Sequence, residues 1–202
     1  MTRDPDAHAD QRLAASFVAV LLRPGSALSS LARDPSARSG ASAIALLGIA
    51  WSALLILLWS GGHAPSFVLL PVAPESYYVL QALVMLPLLT GLWWIHSEVA
   101  HRLCRAAGGS GDEGGVRTAL GFAYAAPMLV AHVLPELVAY AAGGWTLMAM
   151  VGRVSLPLAS LWVWALSAAA LRVAHRVSLP VAIGASLAGL VLQAIAGGLV
   201  IR

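Results

Sequence analysis

Charge disappears from this chain in long blocks. Residues 39–60 hold no Asp, Glu, Lys, Arg or His, and no charged side chain returns until Glu75. About 20 apolar residues cross the hydrocarbon of a bilayer as a helix, so this block predicts a membrane span. Four more spans are predicted at 76–103, 116–141, 155–173 and 179–201. The second is longer than the hydrocarbon and is expected to tilt, or to kink at Pro87. The third carries Pro127 near its middle and Pro135 near its end. The fourth starts less cleanly, because Arg153 is close by, and 145–153 reads as an interfacial lead-in. The fifth opens at Pro180, well suited to a first helical turn.

Ahead of the spans, residues 12–33 have helical amphipathicity. Leu13, Phe17, Val20, Leu21, Pro24, Leu28 and Leu31 share one face, while Arg12, Ser16, Arg23, Ser26, Ser30 and Arg33 share the other. Pro24 cannot occupy a continuous helix interior. Two short helices joined at Arg23-Pro24-Gly25 are therefore expected. Such a segment can lie at the membrane surface, using Arg12, Phe17, Arg23, Pro24 and Arg33. It can equally pack on the domain's own face, and the two readings are compatible. The predicted organisation is a disordered tail at 1–11, an amphipathic segment at 12–38 and a five-span domain at 39–202. The fold class is all-α, a polytopic membrane helical bundle.

Composition agrees with that class. The chain is 59% hydrophobic and 10% charged, against about a quarter charged in soluble domains. All 12 basic residues are Arg, and their placement predicts orientation. Arg3, Arg12, Arg23, Arg33 and Arg38 precede the first span, and the loop 61–75 has none. Arg102, Arg105 and Arg117 flank the second loop, only Arg153 lies in the third, and Arg172 and Arg176 mark the fourth. Alternation of this kind places the N-terminus in the cytoplasm, and an odd span number places Arg202 outside. Because the Arg residues are dispersed and the net charge is only +3, nucleic acid is not an expected partner. The lipid bilayer is. The lone Cys104 forms no intramolecular disulfide, and its plainest reading is a small interface residue. The first twelve residues mix Asp with Arg, unlike the cationic start of a signal peptide.

Ionisable groups within spans are candidates for function. They are His96, Glu98 and His101 on the second span, and His132 and Glu136 on the third. Glu98 with His101, and His132 with Glu136, each share a helix face. Two Glu–His pairs on adjacent helices suggest a metal site. Depth argues against it. Counting from Arg117 at about 1.5 Å per residue, His132 lies roughly 22 Å along its helix, while Glu98 and His101 lie near the opposite surface. The pairs are then roughly 15–25 Å apart, and metal ligands must converge within about 2 Å of the ion. The plainer reading pairs Glu98 with Arg102, and Glu136 with Arg153 or water. The sharper one makes Glu98 with His96 or His101 a proton or ligand site. His96-Ser97-Glu98-Val99-Ala100-His101 lacks the metalloprotease spacing, and no phosphate-binding loop, nucleophile elbow or redox Cys pair occurs. The stretch 108–115 reads as a flexible Gly-rich connection. No catalytic group, metal or cofactor is implied. Small residues recur one turn apart in the last span, Gly184 with Ala188 and Ala185 with Gly189, and predict close helix packing within the monomer.

Taken in order, several segments resemble the Yip1 domain family of small five-span membrane proteins, in its bacterial form. Val20-Leu21-Leu22-Arg23-Pro24-Gly25-Ser26-Ala27-Leu28-Ser29-Ser30-Leu31 is similar to the family's entry segment, with Pro35 following. Gly108-Gly109-Ser110-Gly111 is similar to its Gly-Gly loop, and Arg117-Thr118-Ala119-Leu120-Gly121-Phe122-Ala123-Tyr124-Ala125-Ala126-Pro127 to the opening of its third span. Leu161-Trp162-Val163-Trp164-Ala165-Leu166 and His175-Arg176-Val177-Ser178 resemble its late spans and their short loop. The likeness runs over about 18–200. It implies an integral protein of the bacterial cytoplasmic membrane without enzymatic activity, one that organises membrane or docks a membrane or cytoplasmic protein of unspecified identity. The segment before the first span is shorter than in family members linked to vesicle traffic and Rab-type GTPases. The competing expectation is a small transporter or channel, with a cavity among helices interrupted by Pro87, Pro127 and Pro157. An intramembrane enzyme ranks behind both for want of a nucleophile–base pair.

Overall fold

The computed structural model describes residues 5–65 and 71–198, with side chains from Gln11 onward. Every regular element among them is helical: α1 (Pro5–Leu22), α2 (Pro24–Leu31), α3 (Arg38–Ser60), α4 (Pro74–Ala106), α5 (Glu113–Met128), α6 (Leu134–His175) and α7 (Leu179–Gly197), with a π-helical turn at Leu129–Val133 between α5 and α6. Helix α1 begins at Pro5, so part of the stretch expected to be tail is helical. Residues 199–202, including the end of the last expected span and Arg202, lie outside the described residues.

The break at Arg23-Pro24 forms as expected. Arg23 leaves helical geometry at φ −141°, ψ 62°, and Pro24 opens α2. Between α2 and α3, Asp34 organises a tight turn. It accepts the Ser36 amide at 3.0 Å, the Ser36 hydroxyl at 2.7 Å and the Ser39 hydroxyl at 2.6 Å. Helix α5 is capped by Asp112, whose carboxylate accepts the Gly115 amide at 2.9 Å.

Helix α5 is the axis of the bundle. From Gly115 to Met128 nearly every residue is buried, and α1, α2, α3, α4 and α6 all pack on it. Its small side chains permit this. A Cβ placed on Gly121 would stand 2.7 Å from the Gly40 Cα of α3, so these two helices cross at backbone contact. Phe17 of α1 meets the Phe122 ring edge-on at 5.3 Å.

Among the described residues, four helical runs are long and apolar enough to cross a membrane: Arg38–Ser60, Pro74–Ala106, Glu113–His175 and Leu179–Gly197. The third has 63 residues. Straight, it would measure about 95 Å, roughly three times the hydrocarbon thickness. It is not straight. Gly143 (φ −145°, ψ 15°) and Gly144 (φ 67°, ψ −160°) leave helical geometry, the latter in a conformation open essentially to Gly alone. The chain then returns along itself: Ser155 meets His132, and His175 arrives beside Gly111 at the start of α5. Residues 145–153, read from sequence as a separate lead-in, continue without a break into the returning arm of α6. The π turn lies between Pro127 and Pro135. Leu134 donates its amide to the Leu129 carbonyl, five residues back, which re-satisfies the backbone beside a residue that has no N–H.

Large apolar side chains cover the outside of the spans. Ile49, Leu83, Val138, Met150, Leu161 and Ile195 are all exposed. A surface this apolar is suited to lipid.

Candidate functional site

Helix α4 brings three of the expected polar residues to the end of the bundle where Arg residues gather. Glu98 accepts Arg102 Nε at 2.6 Å and Arg117 Nη2 at 3.1 Å. Arg117 also pairs with Glu113 and stacks over the Trp94 ring at 5.5 Å, while Trp93 donates to the Arg117 carbonyl at 3.1 Å. The Arg102 pairing is the one expected from the sequence; Arg117 ties it to α5. Both carboxylate oxygens of Glu98 are occupied by guanidinium, so Glu98 holds α4 to α5 as an ionised link.

His96 faces the other way, into the interior. Its Nδ1 lies 3.2 Å from the Gln193 amide oxygen of α7. An amide oxygen only accepts, so Nδ1 carries the proton. Nε2 is then an acceptor, buried with no partner among the described residues. Tyr124 of α5 and Gln193 line the same cleft, so polar groups of α4, α7 and α5 gather here. Gly189 makes room for them, since a Cβ there would come 2.8 Å from the His96 ring. The small-residue face of α7 thus packs inward at Ala185 and Gly189, whereas Gly184 has nothing within 4 Å. Gln193 and Tyr124 also floor an apolar cleft of about 470 Å³ between the returning arm of α6 and α7.

His132 stands on the π turn, with Nδ1 3.0 Å from the Ser155 hydroxyl and 3.3 Å from Glu136 Oε1. Trp51 packs edge-on against its ring at 5.2 Å. Serine and carboxylate thus address the same ring nitrogen. A proton relay from Ser through His to a carboxylate needs them on opposite nitrogens, so the trio fastens the hairpin. Glu136 was expected to meet Arg153 or water; its ionisable neighbour is His132, one turn back, because the π turn sets both on the face that meets Ser155.

His101 lies beside His175, which belongs to the late-loop motif and not to the candidate polar set. Its ring is 4.9 Å from that of His175, at the end of α6. Gly111 donates its amide to His175 Nδ1 at 3.1 Å, and Ser110 donates to the His175 carbonyl at 3.2 Å. The Gly-rich connection is therefore seated on His175. A Cβ on Gly109 or Gly111 would come within 3 Å of the His175 side chain, which is why Gly serves there. The signal available in sequence was the pairing of a Gly-Gly loop with a His at a span end. Among the described residues no group of three His, Cys, Asp or Glu is arranged to hold a metal ion. Cys104 is buried.

Of the surface candidates, Arg12, Arg23 and Arg33 are exposed and Pro24 is half-buried in the first turn of α2. Phe17 is buried against Phe122. The apolar face of α1–α2 packs on the bundle, with Val20 and Leu28 fully enclosed. That is the second of the two placements left open by the amphipathic pattern.

The model of the Yip1 domain matches residues 18–201. This chain belongs to the Yip1 domain family. No curated protein and no solved structure matches it. The Yip1 match begins inside α1 and takes in every interior site described above, while Arg12 and Phe17 precede it. In this Yip1 domain the α1–α2 elbow, the seated Gly loop and the α5 axis form one packed unit, since Gly114 and Gly115 at the start of α5 lie directly against Pro35 and Ala32.

Proposed function

We propose that this Yip1 domain is a five-crossing, non-enzymatic membrane organiser that docks another protein. The third and fourth crossings are the two arms of the hairpin folded at Gly143-Gly144. The N-terminus lies on the cytoplasmic side of a bacterial cytoplasmic membrane, and the C-terminus lies outside. The Arg alternation supports that orientation.

One observation carries the reading: α1–α2 form a helical platform fastened to the bundle by their apolar face, with Arg12, Arg23 and Arg33 turned outward. The interior polar groups support it as well. Glu98, His96 and His132 each bond a side chain of another helical arm, as cross-links do. The test is photocrosslinking in native membranes from positions 23 and 33, with position 83 on the apolar exterior as the control. The expected outcome is a discrete protein neighbour from 23 and 33 and lipid alone from 83. Identical products from all three positions would refute docking.

The transporter reading draws on the cleft between α6 and α7, whose lining includes Leu156, the residue before Pro157, and Gln193. Its walls are otherwise mostly Leu, Val, Trp and Ala, suited to a hydrocarbon chain more than to a hydrated solute. Uptake by proteoliposomes that is lost on Gln193→Leu would favour it.

A further inference from the structure

A second cavity, of about 700 Å³, lies between α1, α2 and the start of α3. Its composition is divided. Leu13, Ala19, Leu31 and Phe122 line it with apolar surface, while Arg12, Arg38 and four serines (Ser16, Ser30, Ser39 and Ser42) add polar groups. Among residues whose side chains are described, neither Arg12 nor Arg38 has a carboxylate partner. Asp34, the acid closest in sequence to Arg38, spends its oxygens on Ser36 and Ser39 and does not line the cavity. Two guanidinium groups with no carboxylate partner among the described side chains, with hydroxyls beside them, match an anionic phosphodiester. The positive end of α3 adds to the same field.

We propose that this crevice binds one anionic phospholipid of the adjoining leaflet. Arg12 and Arg38 hold the phosphate, the hydroxyls of Ser16, Ser30 and Ser42 hold the remaining headgroup oxygens, and the glycerol and upper acyl carbons rest on Leu13, Ala19 and Leu31. The charge favours an anionic phosphodiester, and the apolar floor favours a lipid over a soluble phosphate. The crevice also lies where α1–α2 adjoin the start of the first span, which on the orientation proposed above is the height of the headgroups. The inference rests on that orientation only for which leaflet supplies the lipid.

The test uses the purified full chain in detergent, titrated with phosphatidylglycerol or phosphatidylcholine, with retained lipid counted by native mass spectrometry. The expected result is one tightly retained phosphatidylglycerol per chain, bound in preference to phosphatidylcholine. Arg12→Gln with Arg38→Gln should weaken retention about tenfold or more, and Arg12→Lys with Arg38→Lys should restore most of it. Arg23→Gln with Arg33→Gln removes the same charge outside the crevice and should leave retention unchanged. Ala15→Trp at the exposed rim should block binding with no change of charge. The proposal is overturned if both Gln pairs weaken retention equally, if neither does, or if inorganic phosphate alone displaces the lipid. Because the lipid is counted on purified protein, a failed crosslink to a protein partner leaves this result independent.

Discussion

Gly40 and Gly121 touch backbone to backbone: a Cβ on Gly121 would lie 2.7 Å from both Cα and O of Gly40, and one on Gly40 would lie 2.7 Å from Thr118 Cα. Neither neighbour is a flexible side-chain end, so an added methyl must push the two helices apart. Gly121→Ala is expected to destabilise the domain by about 1–3 kcal/mol, and Gly40→Ala by a similar amount. Gly184→Ala, in open space on α7, should be neutral or slightly stabilising. Thermal unfolding of the three variants in one detergent checks this; equal effects at all three would disprove the crossing.

Arg117 serves two carboxylates and a Trp ring, whereas Arg102 serves Glu98 alone from an exposed position, with 77% of its side chain accessible. Exposed ion pairs contribute about 0–1 kcal/mol. Arg102→Ala should therefore cost little. Arg117→Ala leaves Glu113 and the inward oxygen of Glu98 without their shared cation and should cost clearly more. A double-mutant cycle between Glu98 and Arg117 measures the link, and zero coupling energy would show that the pair contributes nothing to stability.

How far the sequence reached can be judged residue by residue. The long apolar helical runs follow from charge depletion, and the α1–α2 elbow follows from Pro24, because both are local consequences of chain chemistry. Phe17 is different. Its helical face was legible, but whether that face meets lipid or Phe122 depends on a partner about a hundred positions away. The role of His175 was not legible for the same reason: its partners, Gly111 and His101, lie on other elements. The continuation of 145–153 into α6 was hidden because Arg153 looked like a boundary, while the true boundary is the Gly143-Gly144 break. The Glu98–Arg102 pair was legible because it lies within one helical turn, and its link to Arg117 was not.

The seating of the Gly-rich connection on His175 predicts slow amide exchange at Ser110 and Gly111 despite their place in a loop. His175→Ala removes the Nδ1 acceptor of the Gly111 amide, and its exchange should rise at least about tenfold, the loss of a hydrogen bond of about 1.4 kcal/mol. His175→Asn restores an acceptor and should recover part of the protection. Unchanged exchange in His175→Ala would mean that the loop is held by something else.

The Asp34 turn gives a pH dependence of known sign. Hydrogen bonds from the Ser39 hydroxyl, then from the Ser36 hydroxyl and amide, hold its carboxyl below the ordinary value of 3.8. A depressed folded-state pKa means that the unfolded chain binds the proton more readily. The stabilisation is therefore fully present above the unfolded value of about 4 and is lost as pH falls through the folded value. Unfolding midpoints of the wild type should fall below about pH 4 more steeply than those of Asp34→Asn, with Ser39→Ala between them. Parallel curves for the wild type and Asp34→Asn would refute the assignment.

The hairpin at Gly143-Gly144 decides the number of crossings. If its two arms each span the membrane, position 142 at its tip and position 110 in the seated loop lie on opposite sides, although one helical run joins the regions. Ala142→Cys and Ser110→Cys, each in a Cys104→Ser background, should differ in labelling by a membrane-impermeant maleimide on intact cells, with 142 modified and 110 protected. Gly144→Ala tests the turn itself. At φ 67°, ψ −160°, an L side chain costs of the order of 1–3 kcal/mol, and the only escape is to straighten the run. A straightened run would carry His132 away from Ser155 and leave Glu136 buried without its hairpin. Gly144→Ala should accordingly lower stability more than Gly143→Ala does, with Ser155→Ala non-additive with it. If 142 and 110 label from the same side, α6 does not return across the bilayer, and the five-crossing proposal falls with it.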